Sequence, residues 1–231
     1  MFTMSNAAPY QSPTISKFGL ADFYNLHKGK TCVIVGLGPN LKLTPPTLFN
    51  YPTFGVNTIY KQTEWDWKPT YYVGVDERLK LEDGAALAKV YSDVPKFIPT
   101  PDWDDLDGEN FYRFQHRTGY NFFVGGHTPK DSTALTKDGI TYRRIMEAVF
   151  QIAWHMGFET MLMIGVQHKP ETRNQLFWGT DHGEPEKDFA WEEEGYKFFK
   201  DALPARILNI SADTYVPENI LPRDDYQKWI K

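Results

Sequence analysis

A glycine-rich turn after the first apolar run is the segment of this chain best suited to contact a ligand. The run at 32–35 leads directly into Gly36-Leu-Gly38-Pro39-Asn40. Glycine lacks Cβ and tolerates positive φ, so the backbone of such a turn can bend sharply and approach a phosphate or a sugar. Pro39 has no backbone N–H, which leaves the side chain of Asn40 to form hydrogen bonds. We therefore predict a ligand site at this turn.

The standard nucleotide fingerprints are incomplete here. The dinucleotide pattern G-x-G-x-x-G would need glycine where Leu41 stands, and no G-K-[S/T] follows as in a phosphate loop. An ordinary NAD or ATP site is therefore disfavoured. Because short glycine motifs have low specificity, a plain strand-to-helix turn stays open as the alternative.

Three further polar residues end or follow predicted strands. They are Asn57, Asp76 and His168. If the strands are parallel, their carboxyl ends share one edge, which is where open α/β sheets bind ligands. We predict that these side chains line the same site as the glycine turn. Asp76 could instead cap the following helix, and His168 could cap its strand or serve as a catalytic base.

Strands and helices that alternate along the chain must position these residues. The patterns predict strands at 32–35, 53–57, 69–76, 160–166 and 207–210, and helices at 20–26, 44–50, 79–90, 140–156 and 191–203. We divide the chain into an N-terminal arm and short helix at 1–28 and one α/β domain at 29–231. Several prolines and many aromatic residues around 96–135 predict an irregular insertion there, with a strand or a lid as an option.

Composition restricts the function. The chain has 231 residues, 41% hydrophobic content and a net charge of −5, which favours small-molecule ligands over nucleic acid or an anionic membrane. Its single cysteine, Cys32, lies in an apolar run and excludes an intramolecular disulfide. Without an apolar run of membrane length or a signal-like start, we expect a soluble, cytoplasmic protein.

Several motifs occur in an order that is known from other proteins. They are the turn at 36–41, Val56-Asn57, the run at 71–76, the segment at 153–166 and the tail at 208–211. Over residues 30–229 this order resembles the sialyltransferase-like and 6-hydroxymethylpterin diphosphokinase-like (MptE-like) group of Rossmann proteins. The resemblance implies a Rossmann-like α/β fold in a single domain, with a mainly parallel sheet and helices on both faces.

The resemblance also implies a function. In the bacterial sialyltransferases of this group, the glycine turn and the strand-end asparagine hold the cytidine nucleotide, and a late histidine is the general base. Carried over, these roles fall on Gly36, Gly38, Asn40 and Asn57, and on His182 as the base. Pro39, Asp76 and His168 complete the predicted nucleotide site. Asp181 would raise the basicity of His182 if their side chains meet, although a surface histidine without function is equally compatible with this loop.

The predicted activity is a glycosyl transfer from a CMP-sugar-like donor to a hydroxyl acceptor, without a metal or another firm cofactor. The group commonly has serine at Asn40 and aspartate at Gln167, so this chain departs from it at both. One alternative is an Mg²⁺-dependent diphosphokinase acting on a pterin-like alcohol. Another is a nucleotide-binding protein without catalysis. Each of these three functions is compatible with a homo-oligomer.

Other side chains have weaker claims to a role. Asp76, His168 and His182 could bind a metal ion, but no tight ligand spacing supports this. Arg143 and Arg144 could neutralise a phosphate, although a solvated helix face is the more common role of such a pair. The large aromatic residues Tyr71, Tyr72 and Trp178 could either stack on a base or sugar or pack in the core.

Overall fold

The chain folds around one sheet of seven parallel strands. A computed structural model describes residues 19–106, 108, 110–116, 140, 142, 144–172, 175–180 and 189–230. Within these residues the strands are β1 (Thr31–Val35), β2 (Thr53–Val56), β3 (Tyr71–Val73), β4 (Lys96–Thr100), β5 (Phe111–Gln115), β6 (Thr160–Ile164), β7 (Gln175–Leu176), β8 (Gly179–Thr180) and β9 (Arg206–Asn209). The sheet has the order β5-β4-β3-β2-β1-β6-β9, and β7 and β8 form a separate antiparallel hairpin.

Helices cover both faces of the sheet. They are α1 (Glu77–Lys89), α2 (Ile145–His155) and α3 (Phe189–Ala202). Alternate side chains of β1 point to opposite faces, so Cys32 and Ile34 share one core with α2 and α3, whereas Val33 and Val35 share the other with α1. The predicted fold class, a single-domain Rossmann-like α/β fold with a mainly parallel sheet, is confirmed.

Short 3₁₀ turns replace two of the predicted helices. Leu20–Phe23 covers part of the helix expected at 20–26, and Pro46–Leu48 covers part of the one expected at 44–50. The other predicted helices and the five predicted strands are present with shifted ends. The N-terminal arm at 1–18 lies outside the described residues. No helix in the described part of the chain is long and apolar enough to cross a membrane.

The predicted irregular insertion contains two strands of the sheet. β4 and β5 pair in register from Lys96↔Phe111 to Thr100↔Gln115. The prolines in this region had argued against regular structure, because proline cannot donate to a ladder. Pro99 is tolerated because β3 pairs with β4 only through Lys96 and Phe97 and has ended before the ladder reaches Pro99.

The direction of strand addition reverses at β1. From β1 to β5 each new strand is added on one side, and β6 then returns to the opposite side of β1. In open α/β sheets, such a reversal leaves a crevice at the carboxyl ends of the two strands, where ligands bind. The reversal lies between the glycine turn after β1 and the residues that follow β6.

Two glycines bring the backbones together at this reversal. The Gly36 N–H donates to the Ile164 carbonyl at 2.8 Å, and the Gly38 N–H donates to the Gly165 carbonyl at 2.8 Å. A Cβ on Gly36 would lie only 2.6 Å from the Gly165 carbonyl oxygen, and Gly165 itself has a φ of 67°. Glycine is therefore required at position 36 for packing, whether or not a ligand binds.

We expect Gly36→Ala to lower the free energy of unfolding by about 1–3 kcal/mol, because the backbone must shift to accept the methyl group. The matched control is Gly84→Ala in α1, where a Cβ would lie 3.4 Å from Leu106 Cδ1. Alanine favours a helix interior by roughly 0.5–1 kcal/mol over glycine, so this control should be neutral or stabilising. Urea unfolding measures both, and equal losses would contradict the packing role of Gly36.

The single cysteine of the chain is part of this core. Cys32 lies in β1 with 0% of its surface exposed. Burial raises the pKa of its thiol well above the ordinary value, so the thiol stays neutral and unreactive in the folded protein. Cys32 is therefore a small residue of the core.

Candidate functional site

A cavity of about 680 Å³ opens at the carboxyl ends of β1, β2, β3 and β6. Its walls come from the glycine turn, the residues after each of these strands, the first turns of α1 and α3, the residues that precede α2, and the β7–β8 hairpin. The volume is in the range that holds a small-molecule ligand. The crevice expected from the strand reversal is therefore present.

Five of the predicted nucleotide-binding residues line this cavity. They are Gly38, Pro39, Asn57, Asp76 and His168. Their convergence follows from the parallel strands, since the carboxyl ends of β1, β2, β3 and β6 lie along one edge. The predicted base, His182, lies outside the described residues, although Trp178 and Phe189 on either side of it in the sequence both line the cavity.

The other two predicted contacts support the site from behind its lining. Gly36 packs against the backbone of Gly165. Asn40 is 2% exposed, and its Nδ2 donates to the Ala212 carbonyl at 2.8 Å, which connects the glycine turn to the loop after β9. Direct nucleotide contacts by Gly36 and Asn40 stay predictions.

Asn57 is held rigidly at the end of β2. Its φ is 40°, its Oδ1 accepts from the Val75 N–H at 3.2 Å, and its carbonyl accepts from the Tyr72 hydroxyl at 2.5 Å. Asparagine tolerates this left-handed backbone better than most residues. No described residue accepts from Asn57 Nδ2. Asn57 therefore presents a fixed amide whose donor is available to a ligand.

Asp76 both caps a helix and lines the cavity. Its Oδ1 accepts from the Arg78 N–H at 3.0 Å, and its Oδ2 pairs with Arg78 Nη2 at 3.0 Å. These contacts confirm the capping role that the sequence left open. They also leave the carboxylate compensated by a neighbouring cation.

His168 is held between two carboxylates at the end of β6. Its Nε2 lies 2.9 Å from Glu192 Oε2 and its Nδ1 lies 3.2 Å from Glu193 Oε1, while its ring stacks on Phe189 with centroids 4.4 Å apart. Burial by itself would lower the pKa of His168, but the hydrogen bonds and negative charges of the two glutamates outweigh it and raise the pKa above its ordinary value. A protonated ring donating from both nitrogens cannot accept a proton, so His168 is poorly suited to be a base.

Gln167 has a structural role at the position where the resembled group has aspartate. Its Nε2 donates to Asp213 Oδ2 at 2.9 Å, and its Oε1 accepts from the Thr172 hydroxyl at 2.9 Å. Its backbone carbonyl also accepts from the Tyr215 N–H at 2.7 Å. The amide thus connects the exits of β6 and β9, using both of its functional groups.

The large aromatic residues divide between core and cavity. Tyr71 and Tyr72 are fully buried and belong to the core. Trp178 lines the cavity from the β7–β8 hairpin, next to Phe177, whose N–H donates to the Leu37 carbonyl at 3.0 Å. Of the three, Trp178 is the one placed to stack on a ligand.

Several residues that line the cavity were not predicted from the sequence. Lys61 pairs with Asp83 at 2.6 Å on the α1 side, and the hydrogen bonds from Lys61 and the Tyr60 hydroxyl lower the pKa of Asp83. Lys169 and Tyr142 line other parts of the wall. None belongs to a recognisable motif, but Lys169 directly follows His168 and could have been included on that basis. The described residues contain no group of three or more His, Cys, Asp and Glu side chains arranged to hold a metal ion.

Two solved structures of sialyltransferases share this fold. The α-2,3-sialyltransferase from Campylobacter jejuni in its apo form matches with a TM-score of 0.50 and 14% identity, over 85% of this chain and 80% of that one. The sialyltransferase CST-II, in complex with a trisaccharide acceptor and CMP, matches with a TM-score of 0.52 and 12% identity, over 83% of this chain and 85% of that one. No protein-family model matches the chain, and no curated protein matches it in sequence. At these identities the similarity establishes a sialyltransferase-like fold.

The hydrogen bonds of His168 to Glu192 and Glu193, which we call the His168 clamp, predict that the free energy of unfolding depends on pH. Because the folded pKa is raised above the ordinary 6.5, the contribution of His168 is complete below pH 6.5 and is lost as the pH rises through the higher folded value. We expect His168→Gln to cost about 1.5–3 kcal/mol near pH 6, as for a hydrogen bond to a charged group, and less at pH 9. Urea unfolding at several pH values measures the difference between wild type and variant.

His27→Gln is the control, because the contribution of His27 to stability should change with pH in the opposite direction. Burial, with a smaller contribution from Lys30, lowers the pKa of His27 to about 4, so its contribution is lost as the pH falls and does not decrease above pH 6.5. If the loss of unfolding free energy changed with pH in the same way for both variants, the protonated His168 clamp would be contradicted.

Proposed function

We propose that this protein is a glycosyltransferase that uses a nucleotide-activated sugar, with CMP as the carrier nucleotide, and a hydroxyl acceptor. The observation that carries the proposal is the cavity at the strand reversal, whose lining includes the glycine turn and the amide of Asn57. It is supported by the shared fold with a sialyltransferase crystallised with CMP and an acceptor trisaccharide.

The proposed reaction needs two functions from the protein, a site that holds the nucleotide and a base. Gly38 and Pro39 form the floor beneath the nucleotide, and Asn57 donates from Nδ2 to it. The acceptor hydroxyl attacks the anomeric carbon, the bond from that carbon to the phosphate oxygen breaks, and the nucleotide leaves with the bonding electrons. A base removes the hydroxyl proton, and we assign this role to His182 because histidine titrates near neutral pH.

The identity of the carrier nucleotide can be tested by ligand binding. We expect CMP to stabilise the protein selectively in a thermal-shift screen with CMP, UDP, GDP and ATP, each with and without Mg²⁺, and to need no Mg²⁺. Asn57→Gly accepts the φ of 40° but removes the amide, so the CMP affinity measured by calorimetry should fall about 10-fold, as for one lost hydrogen bond. Asn25→Gly is the matched control, since Asn25 has a φ of 55° and is exposed away from the cavity lining.

The other outcomes of this screen identify the alternatives. Stabilisation by ATP only with Mg²⁺ would support the pterin-type diphosphokinase and overturn the sugar transfer. CMP binding without transfer from any CMP-sugar, to any hydroxyl acceptor tried, would favour a nucleotide-binding protein that lacks catalysis.

The assignment of His182 as the base is tested separately from the identity of the nucleotide. We expect His182→Ala to lower kcat about 10²- to 10⁴-fold, the usual contribution of a positioned base, while the affinity for CMP is unchanged. The acidic limb of the pH–rate profile should disappear in the variant. Full activity in His182→Ala would remove this assignment.

A further inference from the structure

Two cations of the cavity wall have no carboxylate partner among the described residues. They are Arg144, which immediately precedes α2, and Lys169, which follows His168 at the exit of β6. Both line the cavity. A cation without a carboxylate partner at the edge of a concave site keeps its full charge for a ligand.

The other lining cations are compensated within the protein. On the α1 side, Lys61 pairs with Asp83 at 2.6 Å and Arg78 pairs with Asp76 at 3.0 Å. The ring of His168 is bound by the two glutamates of α3. The α1 side also carries Glu77 and Glu82 and is therefore acidic, so the charge of the cavity is divided between two walls.

Arg144 has a donor that the described part of the chain leaves unsatisfied. Its Nε is buried and has no hydrogen-bond partner among those residues. Buried polar atoms in native proteins are nearly always paired, so each exception calls for an explanation, and a ligand that completes the bond is one. Guanidinium also matches the geometry of an oxyanion, because two parallel N–H groups can donate to two of its oxygens.

Lys169 is positioned by an aromatic ring, and no carboxylate of the described residues neutralises it. Its Nζ lies 5.4 Å from the centroid of the Tyr215 ring. An aromatic face attracts a cation through its quadrupole but carries no net charge, so the positive charge of the ammonium remains. The ring thus keeps Lys169 beside the cavity in a form that can attract an anion.

We propose that Arg144 and Lys169 form an oxyanion-binding wall, against which the ligand places its phosphate or carboxylate, with its uncharged hydroxyl-bearing part toward α1. The nucleotide-sugar form of this ligand rests on the proposed function. In the transfer, the electrons of the broken bond pass to the phosphate oxygen, and cations at this wall stabilise the charge that develops there. Cations aimed at the developing charge act on the rate as well as on binding.

The test compares ligands that differ only by the anion. CMP and cytidine affinities are measured by calorimetry for Arg144→Gln and Lys169→Gln. We expect each variant to weaken CMP about 10- to 100-fold, as for a charged hydrogen bond, and to leave cytidine within about 2-fold. The matched control is the double variant Lys61→Gln/Asp83→Asn, which removes a cation of the same cavity together with its paired carboxylate and should change the ratio of the two affinities by less than about 2-fold.

One further ligand pair identifies the source of the oxyanion. N-acetylneuraminic acid and its methyl ester differ only by the carboxylate charge, so a loss confined to the acid assigns the wall to the sugar carboxylate. A loss confined to CMP assigns it to the phosphate. Equal losses for charged and uncharged ligands, or no loss with either charged ligand, would overturn the proposal once urea unfolding has shown that the variants fold.

Inorganic diphosphate separates this inference from the proposed function. If wild type binds no nucleotide but is stabilised by diphosphate, and the stabilisation is lost in Arg144→Gln and Lys169→Gln, then the oxyanion wall stands and the CMP donor does not. If CMP binds with equal affinity to wild type and both variants, and they bind the sugar acid equally well, the donor stands and the wall does not.

Discussion

The close contact between the backbones that leave β1 and β6 is the constraint on which the site depends. Gly36 and Gly165 are both needed, because a Cβ on either would lie 2.6 Å from the backbone oxygen of the other. Their approach places the exit of β6 beside the glycine turn at the point where the strand order reverses. The cavity, the His168 clamp and the amide bridge of Gln167 all follow from this arrangement. A motif that resembles a ligand fingerprint is thus also a packing requirement of the sheet.

Most of the fold could be predicted from local patterns, since apolar runs ending in polar residues indicated parallel strands and a shared edge. The same rule placed Asn57, Asp76 and His168 at the cavity. β4 was missed because Pro99 carries a strong local penalty, which does not apply here because β3 ends before the ladder reaches Pro99. β5 was missed with it, as part of the same region rich in prolines and aromatic residues. The partners of His168 were also missed, because Glu192 and Glu193 lie on a helix more than twenty residues away and meet it only through packing. Such contacts leave no periodic signal in a sequence.

Charge compensation distinguishes the parts of the site that stabilise the protein from those that remain available. Asp76, Arg78, Lys61, Asp83 and His168 satisfy one another or α3. The Lys61–Asp83 pair joins the turn after β2 to α1, and His168 holds the first turn of α3 at the exit of β6. Arg144 and Lys169 lack such partners within the described residues. The pairing pattern therefore separates residues whose loss should affect folding from residues whose loss should affect binding. Residue type alone would not have made this separation, since both groups contain Lys and Arg.

The burial of Cys32 has a practical consequence for following motion in this protein. It is the chain's one cysteine, and its neutral thiol is sealed within β1, an interior strand of the sheet. A cysteine introduced at an exposed position such as Leu81 on α1, which is 74% exposed, would react with a fluorophore or spin label while the native thiol stays silent. Slow modification of Cys32 itself would report the opening of β1. The wild-type sequence thus already serves as a background for site-directed spectroscopy.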